Sequence, residues 1–531
     1  MSCLTCRNCG FVNAVPLEPQ LQNITAIQSS DNFVSQILRG SRPLLDSDHI
    51  LFNAEIHKLD LLRSLYNAQL QEIQLHWCTV LKALENRQSI FAPIRRLPRD
   101  ILIEIFHSVC DPWTLKVDYA RRPEHHSLDV SGPLWVLGRV CGLWRDTLHT
   151  SPASWARNVV VTSPYSRHAP EILQTYLERT GDHPLSLMVI CEGINRTREG
   201  EIMTLLVQSC NRWKNVHIGT DLHHIHHLES ITDLPALQRI ELDSADDYRS
   251  NYRLDICLNA PQLWKVSLLS QGMHQVRLPP SVTHYSGLIT CAEDSQFLSH
   301  LPKLETCHLQ LFWEPSVKIQ VEAPVVVAEL RHLYVDHADL LNFITAPLLQ
   351  SLTISKGQIE QSACVTSFFR RSGCHLESLS YSLRRTPSAS KPSALISNML
   401  SSEACSTISR LKLELGDRFD EVAQALTPSS VLHNLHHLIL CVRTPVEKRD
   451  WYPIPNMIRS RRDVGVLRTV ELQFNGELFL NDTYEDWEPI RNSEIKEDVR
   501  ALTGDNLEMR VERWDPPSHE HLLIFSSDVI Q

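Results

Sequence analysis

Between residues 48 and 91 the chain has neither proline nor glycine, and apolar side chains return every seven residues at Leu59, Tyr66, Ile73 and Val80. Leu62, Leu70, Trp77 and Leu84 fill the adjoining positions. That period predicts a long amphipathic helix over 49–91 with one apolar seam. Gln69 and His76 interrupt the seam, which suits packing on the chain's own following domain as well as a dimeric coiled coil. Residues 1–48 mix cysteine with Pro, Gln, Asn and Ser, keep no period, and predict a mostly disordered tail. Pro93 closes the long helix. After Leu97-Pro98, the stripe Ile101, Leu102, Ile105, Phe106 and Val109 predicts another. A polar segment follows at 111–133, and Ser131-Gly132-Pro133 opens a second helix, with Leu137, Val140, Cys141, Trp144 and Leu148 along one face. Ser151-Pro152 starts a third, leading to Trp155.

The remainder is repetitive. An apolar residue, two arbitrary residues, an apolar, one arbitrary and another apolar recur in ten copies. They are Trp213-Val216-Ile218, Leu237-Ile240-Leu242, Leu263-Val266-Leu268, Leu304-Cys307-Leu309, Leu330-Leu333-Val335, Leu349-Leu352-Ile354, Leu376-Leu379-Tyr381, Ile408-Leu411-Leu413, Leu435-Leu438-Leu440 and Leu467-Val470-Leu472. Their middle residues lie 19 to 41 positions apart, and a weaker copy at 280–285 divides the widest step. Steps near the ~20 to 29 of leucine-rich repeats predict one short strand per unit and a return on the other side. The predicted class is therefore α then α/β: a long helix, a three-helix unit, and over 156–515 an irregular leucine-rich-repeat solenoid, its parallel sheet bent into a horseshoe. A tail over 516–531 ends it. An unrelated α/β domain with parallel strands is the alternative. Pro235, Pro261, Pro302 and Pro347 stand two places before a first apolar position, where an extended, donor-free residue is expected. The asparagine usual eight places after the first leucine occurs only at Asn475, so other groups must serve the backbone between turns.

Composition narrows the chemistry. Glycine is 17 of 531 residues, well under the usual ~7%, which leaves little for phosphate-cradling loops. The net charge of −11 comes without a basic stripe, which excludes nucleic acid as the expected partner. No apolar run approaches the ~18 residues of a membrane span, so no membrane association is expected, and 15 cysteines, most of them isolated, suit the cytosol or nucleus. Cys3, Cys6 and Cys9 have the spacing of half a zinc ribbon. No second Cys-x-x-Cys completes it, so a solvated tail with reactive thiols stands beside metal binding. His223, His224, His226 and His227 lack a neighbouring carboxylate pattern and are expected at the surface. Neither a Gly-x-Ser-x-Gly elbow, a P-loop nor a His-Glu-x-x-His helix is present.

The run Pro93 to Pro98, then Ile101-Leu102 and Ile105-Phe106, then Val140-Cys141-Gly142-Leu143-Trp144-Arg145, then Ser151 to Trp155 resembles an F-box. More narrowly, it is similar to the F-box proteins expanded in mushroom-forming fungi, which often carry a preceding coiled-coil helix and a long leucine-rich remainder. The resemblance covers 93–155. It departs at Arg99-Asp100, where Pro-Glu is usual, and at the insertion 111–133. It implies docking on the Skp-family adaptor of a cullin-based ubiquitin ligase through Leu97, Pro98, Ile101, Leu102, Ile105, Phe106, Val140 and Trp144. The size of the unit agrees, since about 60 residues cannot bury that whole apolar set internally. The solenoid would then hold the target protein, and catalysis would belong to a partner, so this chain is expected to be no enzyme and to need no cofactor. The alternative is an adaptor-independent interaction scaffold that uses the helix seam and the solenoid.

Overall fold

The ten apolar triplets form strands whose middle residues stand in one unbroken register. Residues 31–110, 126–244, 253–272, 274–311, 323–356, 361–383, 392–415, 419–428, 430–442, 452–463, 465–475, 497, 500–503 and 507–514 are described by the computed structural model. Fourteen strands make a single sheet, every neighbouring pair parallel, in the order of the chain. They are β1 (Val159–Thr162), β2 (Leu185–Ile190), β3 (Trp213–Thr220), β4 (Arg239–Ser244), β5 (Lys265–Gly272), β6 (His284–Ile289) and β7 (Thr306–Leu311). There follow β8 (His332–Val335), β9 (Ser351–Ile354), β10 (Ser378–Leu383), β11 (Arg410–Leu415), β12 (His437–Val442), β13 (Thr469–Asn475) and β14 (Glu508–Trp514). Spatial order equal to chain order means each unit stacks only on its neighbours, the organisation of a solenoid.

The register shows why the pattern works. Val216, Ile240, Val266, Tyr285, Cys307, Leu333, Leu352, Leu379, Leu411, Leu438 and Val470 pair one to the next across eleven strands. No residue of the ten triplets is more than 4% exposed. Strands alternate their side chains, so one face of the sheet carries this apolar ladder and the other takes the residues between. The buried ladder is covered by α7 (Ala169–Arg179), α8 (Arg196–Val207), α9 (Leu222–Glu229), α10 (Ala292–Phe297), α11 (Ser362–Ser372), α12 (Pro392–Leu400), α13 (Phe419–Leu426) and α14 (Pro453–Asp463), which occupy the connections. Consecutive helices also pack on each other, α7 on α8, α8 on α9, and α11 through α14 in series.

Two sequence expectations change in detail. The four prolines stand inside tight turns rather than extended lead-ins. The N–H of Leu237, Leu263, Leu304 and Leu349 closes on the carbonyl three residues back, which places each proline where its fixed φ starts a β-turn. The missing asparagines are replaced by unlike groups. Buried Asp336 accepts the Leu311 N–H at 2.8 Å, and the Ser163 hydroxyl accepts the Glu192 N–H at 3.1 Å. On the helical side Arg371 donates to the carbonyls of Leu341 and Ile344, and Arg212 to that of Gly181. The side chain of Asn475 lies outside the described residues.

The weak copy at 280–285 is β6, where wholly buried Tyr285 takes the middle position and Gly287 the third. A Cβ at Gly287 would run into the Tyr285 hydroxyl and ring, and would lie 3.2 Å from the Leu268 carbonyl oxygen. Gly287→Ala should therefore lower stability by about 1–3 kcal/mol through overpacking, read as a reduced urea midpoint. An unchanged midpoint would show that the ring can move.

The chain divides at Arg99/Asp100 into two compact units. In the first, α2 (Asp46–Ile90) is the expected long helix, and only Asp48 of its 45 residues is buried. Asp48 sets its start, accepting the Leu45 N–H at 3.1 Å and pairing with Arg42 at 3.0 Å. Part of the segment expected as a tail is ordered, since Asp31–Leu38 forms α1. In the second unit the stretch expected as one helix from Leu134 to Leu148 is two, α4 (Pro133–Val140) and α5 (Gly142–His149). Cys141 between them is extended (φ −160°, ψ 169°), and the glycine after it favours the break. With α3 (Arg99–Cys110) and α6 (Pro152–Ala156), the predicted three helices are four.

Candidate functional site

On α3 two apolar stripes run side by side with the four-residue spacing of a helix face. Leu102 and Phe106 are 0% exposed, and Phe106 lies 5.0 Å from the Trp144 ring. Ile101, Ile105 and Val109 are 44%, 36% and 51% exposed. Val136 and Val140 form a similar exposed pair on α4. The unit beneath is tightly tied. Buried Trp155 on α6 donates Nε1–H to the Leu148 carbonyl at 3.1 Å and meets the Tyr176 ring of α7 edge-on at 5.1 Å. The Arg179 guanidinium covers the Trp135 and Trp155 rings at 4.4 and 4.7 Å. His107 bonds the Ser154 hydroxyl at 3.0 Å, joining α3 to α6.

The eight positions assigned to adaptor docking thus separate into two groups. Pro98, Ile101, Ile105 and Val140 are exposed, and Leu97 and Trp144 are half-buried. Leu102 and Phe106 are core residues that no partner can reach without opening the unit, a correction to their assignment. Cys3, Cys6 and Cys9, and the insertion from 111 to 125, lie outside the described residues. The rest of the insertion is built into the fold, for Ser127 N–H donates to the Val160 carbonyl at 2.7 Å and Leu128 is buried.

A second surface lies on the sheet face opposite the apolar ladder, where the residues between the triplet positions form two rows. The first runs Arg239, Lys265, His284, Thr306, His332, Ser351, Ser378, Arg410 and His437 in register. The second runs His217, Glu241, Ser267, Ser286, His308, Tyr334, Thr353, Ser380 and Lys412. Arg239 lies over the Trp264 ring at 4.7 Å, Trp264 meets His284 edge-on at 5.0 Å, and His308 lies 4.3 Å from Tyr334. Cations crowd here. Burial first, and Arg239 second, push Lys265 down to about 8, and burial with the Lys265 charge lowers His284. His332 is lowered by burial and Arg331.

The depressed lysine has a signed consequence. Its folded value lies below its unfolded one, so the unfolded chain binds the extra proton, and stability should rise as pH climbs from about 8 toward 10.5. Lys265→Met should raise stability at pH 7 by on the order of 1 kcal/mol, reduced by partial exposure, and flatten that rise. Urea midpoints at pH 7 and 9.5 check it. A midpoint that falls in Lys265→Met at pH 7 would show that the ammonium is well paired.

The histidine cluster differs from expectation. His224 on α9 is 2% exposed, with Nε2 3.1 Å from Glu199 and 3.7 Å from Asp221, while His226 is exposed. Glu199 is 25 positions from His224, so no local spacing announces the pair. Neither polar row is announced by the apolar pattern, because its residues lie between the apolar positions, and His217, Ser267, Ser286, Thr306 and Tyr334 among them are buried. Among the described residues no helix is long and apolar enough to cross a membrane, and the described cysteines are free thiols. Comparison with known protein families and with curated proteins finds no match for the chain.

Proposed function

We propose that this chain is the substrate-recognition subunit of a Skp-cullin-F-box ubiquitin ligase. The exposed stripe of α3 is the docking element for the Skp-family adaptor, and the polar face of the sheet receives the target protein. The observation that carries this reading is the division of one helix into a buried pair, Leu102 and Phe106, and an exposed triplet, Ile101, Ile105 and Val109. A helix that has already met its core requirement yet keeps a second continuous apolar stripe in water is built for a partner. The aromatic cluster of Trp135, Trp155 and Tyr176 ties the docking element to the first solenoid turn, so a bound adaptor and a bound target would be held in a defined relation.

The test is co-purification of the full chain with a Skp-family adaptor. A stoichiometric complex supports the reading. A folded chain that captures no adaptor would overturn it and leave an adaptor-independent scaffold.

A further inference from the structure

Where β5 and β6 leave the sheet, two segments far apart in sequence bring three unlike donor atoms together. His274 follows β5, and Cys291 and Asp294 follow β6 at the start of α10. His274 Nδ1 lies 2.9 Å from Asp294 Oδ1 and 3.7 Å from Cys291 Sγ, and the three donor atoms all fall within 4.8 Å of one another. Among the described residues this is the single group of three or more such side chains gathered so closely.

We infer that His274, Cys291 and Asp294 form a binding site for a divalent cation of the zinc class. An imidazole, a thiol and a carboxylate are the borderline set that zinc prefers, whereas magnesium and calcium select oxygen alone. A tetrahedral ion with bonds of ~2.0 to 2.3 Å spaces its ligand atoms by roughly 3.3 to 3.6 Å. The His274 separations of 2.9 and 3.7 Å lie on either side of that range, so small side-chain shifts bring the imidazole to ligand spacing. The carboxylate is already oriented. Its other oxygen, Oδ2, accepts the Thr290 N–H at 2.8 Å, the Thr290 hydroxyl at 2.7 Å and the Cys291 N–H at 3.2 Å, while the His274 N–H also holds Oδ1 at 2.9 Å. These are the outer contacts that aim a metal-binding carboxylate. Asp294 is wholly buried, and His274 and Cys291 are half-buried, which leaves an approach for the ion and a fourth position for water or for a donor from a bound partner. The ion would clamp consecutive turns at the ends of β5 and β6. The inference stands on these distances and holds whether or not the chain docks on an adaptor.

The N-terminal cysteines are a competing thiol source and must be removed first. The full-length Cys3→Ser, Cys6→Ser, Cys9→Ser variant, stripped of metal, is titrated with Co2+. One equivalent should produce a thiolate-to-cobalt charge-transfer band with the visible bands of tetrahedral cobalt. Adding Cys291→Ser should abolish the charge-transfer band, and adding His274→Ala should weaken binding at least about tenfold. As a second reading that does not depend on Cys291→Ser, zinc should raise the Tm of the triple variant and not that of its His274→Ala derivative. Absence of the band in the triple variant, its persistence after Cys291→Ser, or an equal zinc effect on Tm with and without His274 would each overturn the assignment.

Discussion

Replacing Ile101 and Ile105 together by aspartate is expected to abolish capture of a Skp-family adaptor while the chain stays folded. Both side chains are exposed on α3, so the change costs the core little, and surface substitutions commonly stay within about 0.5 kcal/mol. At an interface the same change removes two apolar anchors and buries two unpaired charges. Anchors of this kind carry about 2 kcal/mol or more each, so affinity should fall by at least about 100-fold. Phe106→Ala is the contrasting variant. It should lower stability by about 3–5 kcal/mol, and any loss of adaptor should follow from loss of fold. Measuring adaptor co-purification beside the unfolding midpoint separates the two effects. If the double aspartate variant still holds the adaptor, the exposed stripe is not the docking element, and the proposed function loses the observation on which it stands.

Arg461→Met should produce the largest loss of stability in the C-terminal turns, about 3–5 kcal/mol. The guanidinium is 5% exposed and donates from all three nitrogens to backbone carbonyls: Nε to Leu426 at 2.6 Å, Nη2 to Pro428 at 2.9 Å and Nη1 to Leu432 at 3.2 Å. Leu426 is the last residue of α13, where helix carbonyls lack internal partners, and Leu432 has a positive φ of 51°. Removing the arginine leaves buried acceptors unmet and releases the contact that holds a left-handed leucine. Arg461→Lys keeps the charge without the planar fork and should recover only part of the loss. Because the units stack in one dimension, hydrogen exchange should rise first in β11 through β13, with β2 through β5 little changed. A uniform rise over the whole sheet would instead show that the solenoid unfolds as one cooperative body.

The same arginine shows where local reading stops. Its partners are 29 to 35 residues earlier, and nothing in the sequence around 461 marks it as different from Arg459 or Arg462. The pairs His224 with Glu199 and His274 with Asp294 are separated by 25 and 20 residues and were hidden for the same reason. Three strands also escaped the triplet pattern, β1, β2 and β14, which lie at the two ends of the sheet. In β2 the run Pro184-Leu185-Ser186-Leu187 follows a turn at Gly181 to His183, so no apolar residue stands where the template asks for its first.

By itself the sequence determined a parallel sheet with a strand at each of the ten triplets, together with the long helix α2. These follow from alternation and period, which belong to short windows of chain and reflect the geometry of strand and helix directly. It could also name an apolar set on α3, but it could not say which of those side chains face water. Ile101 and Leu102 are neighbours of almost equal hydrophobicity, and only the packing of later segments on α3, with Trp144 against Phe106 and Ser154 bonded to His107, decides that one is buried and the other exposed. The polar clusters and the polar rows of the sheet were likewise settled by tertiary structure, because a hydrogen bond depends on distance in space, and the chain's pattern of hydrophobicity carries no record of it.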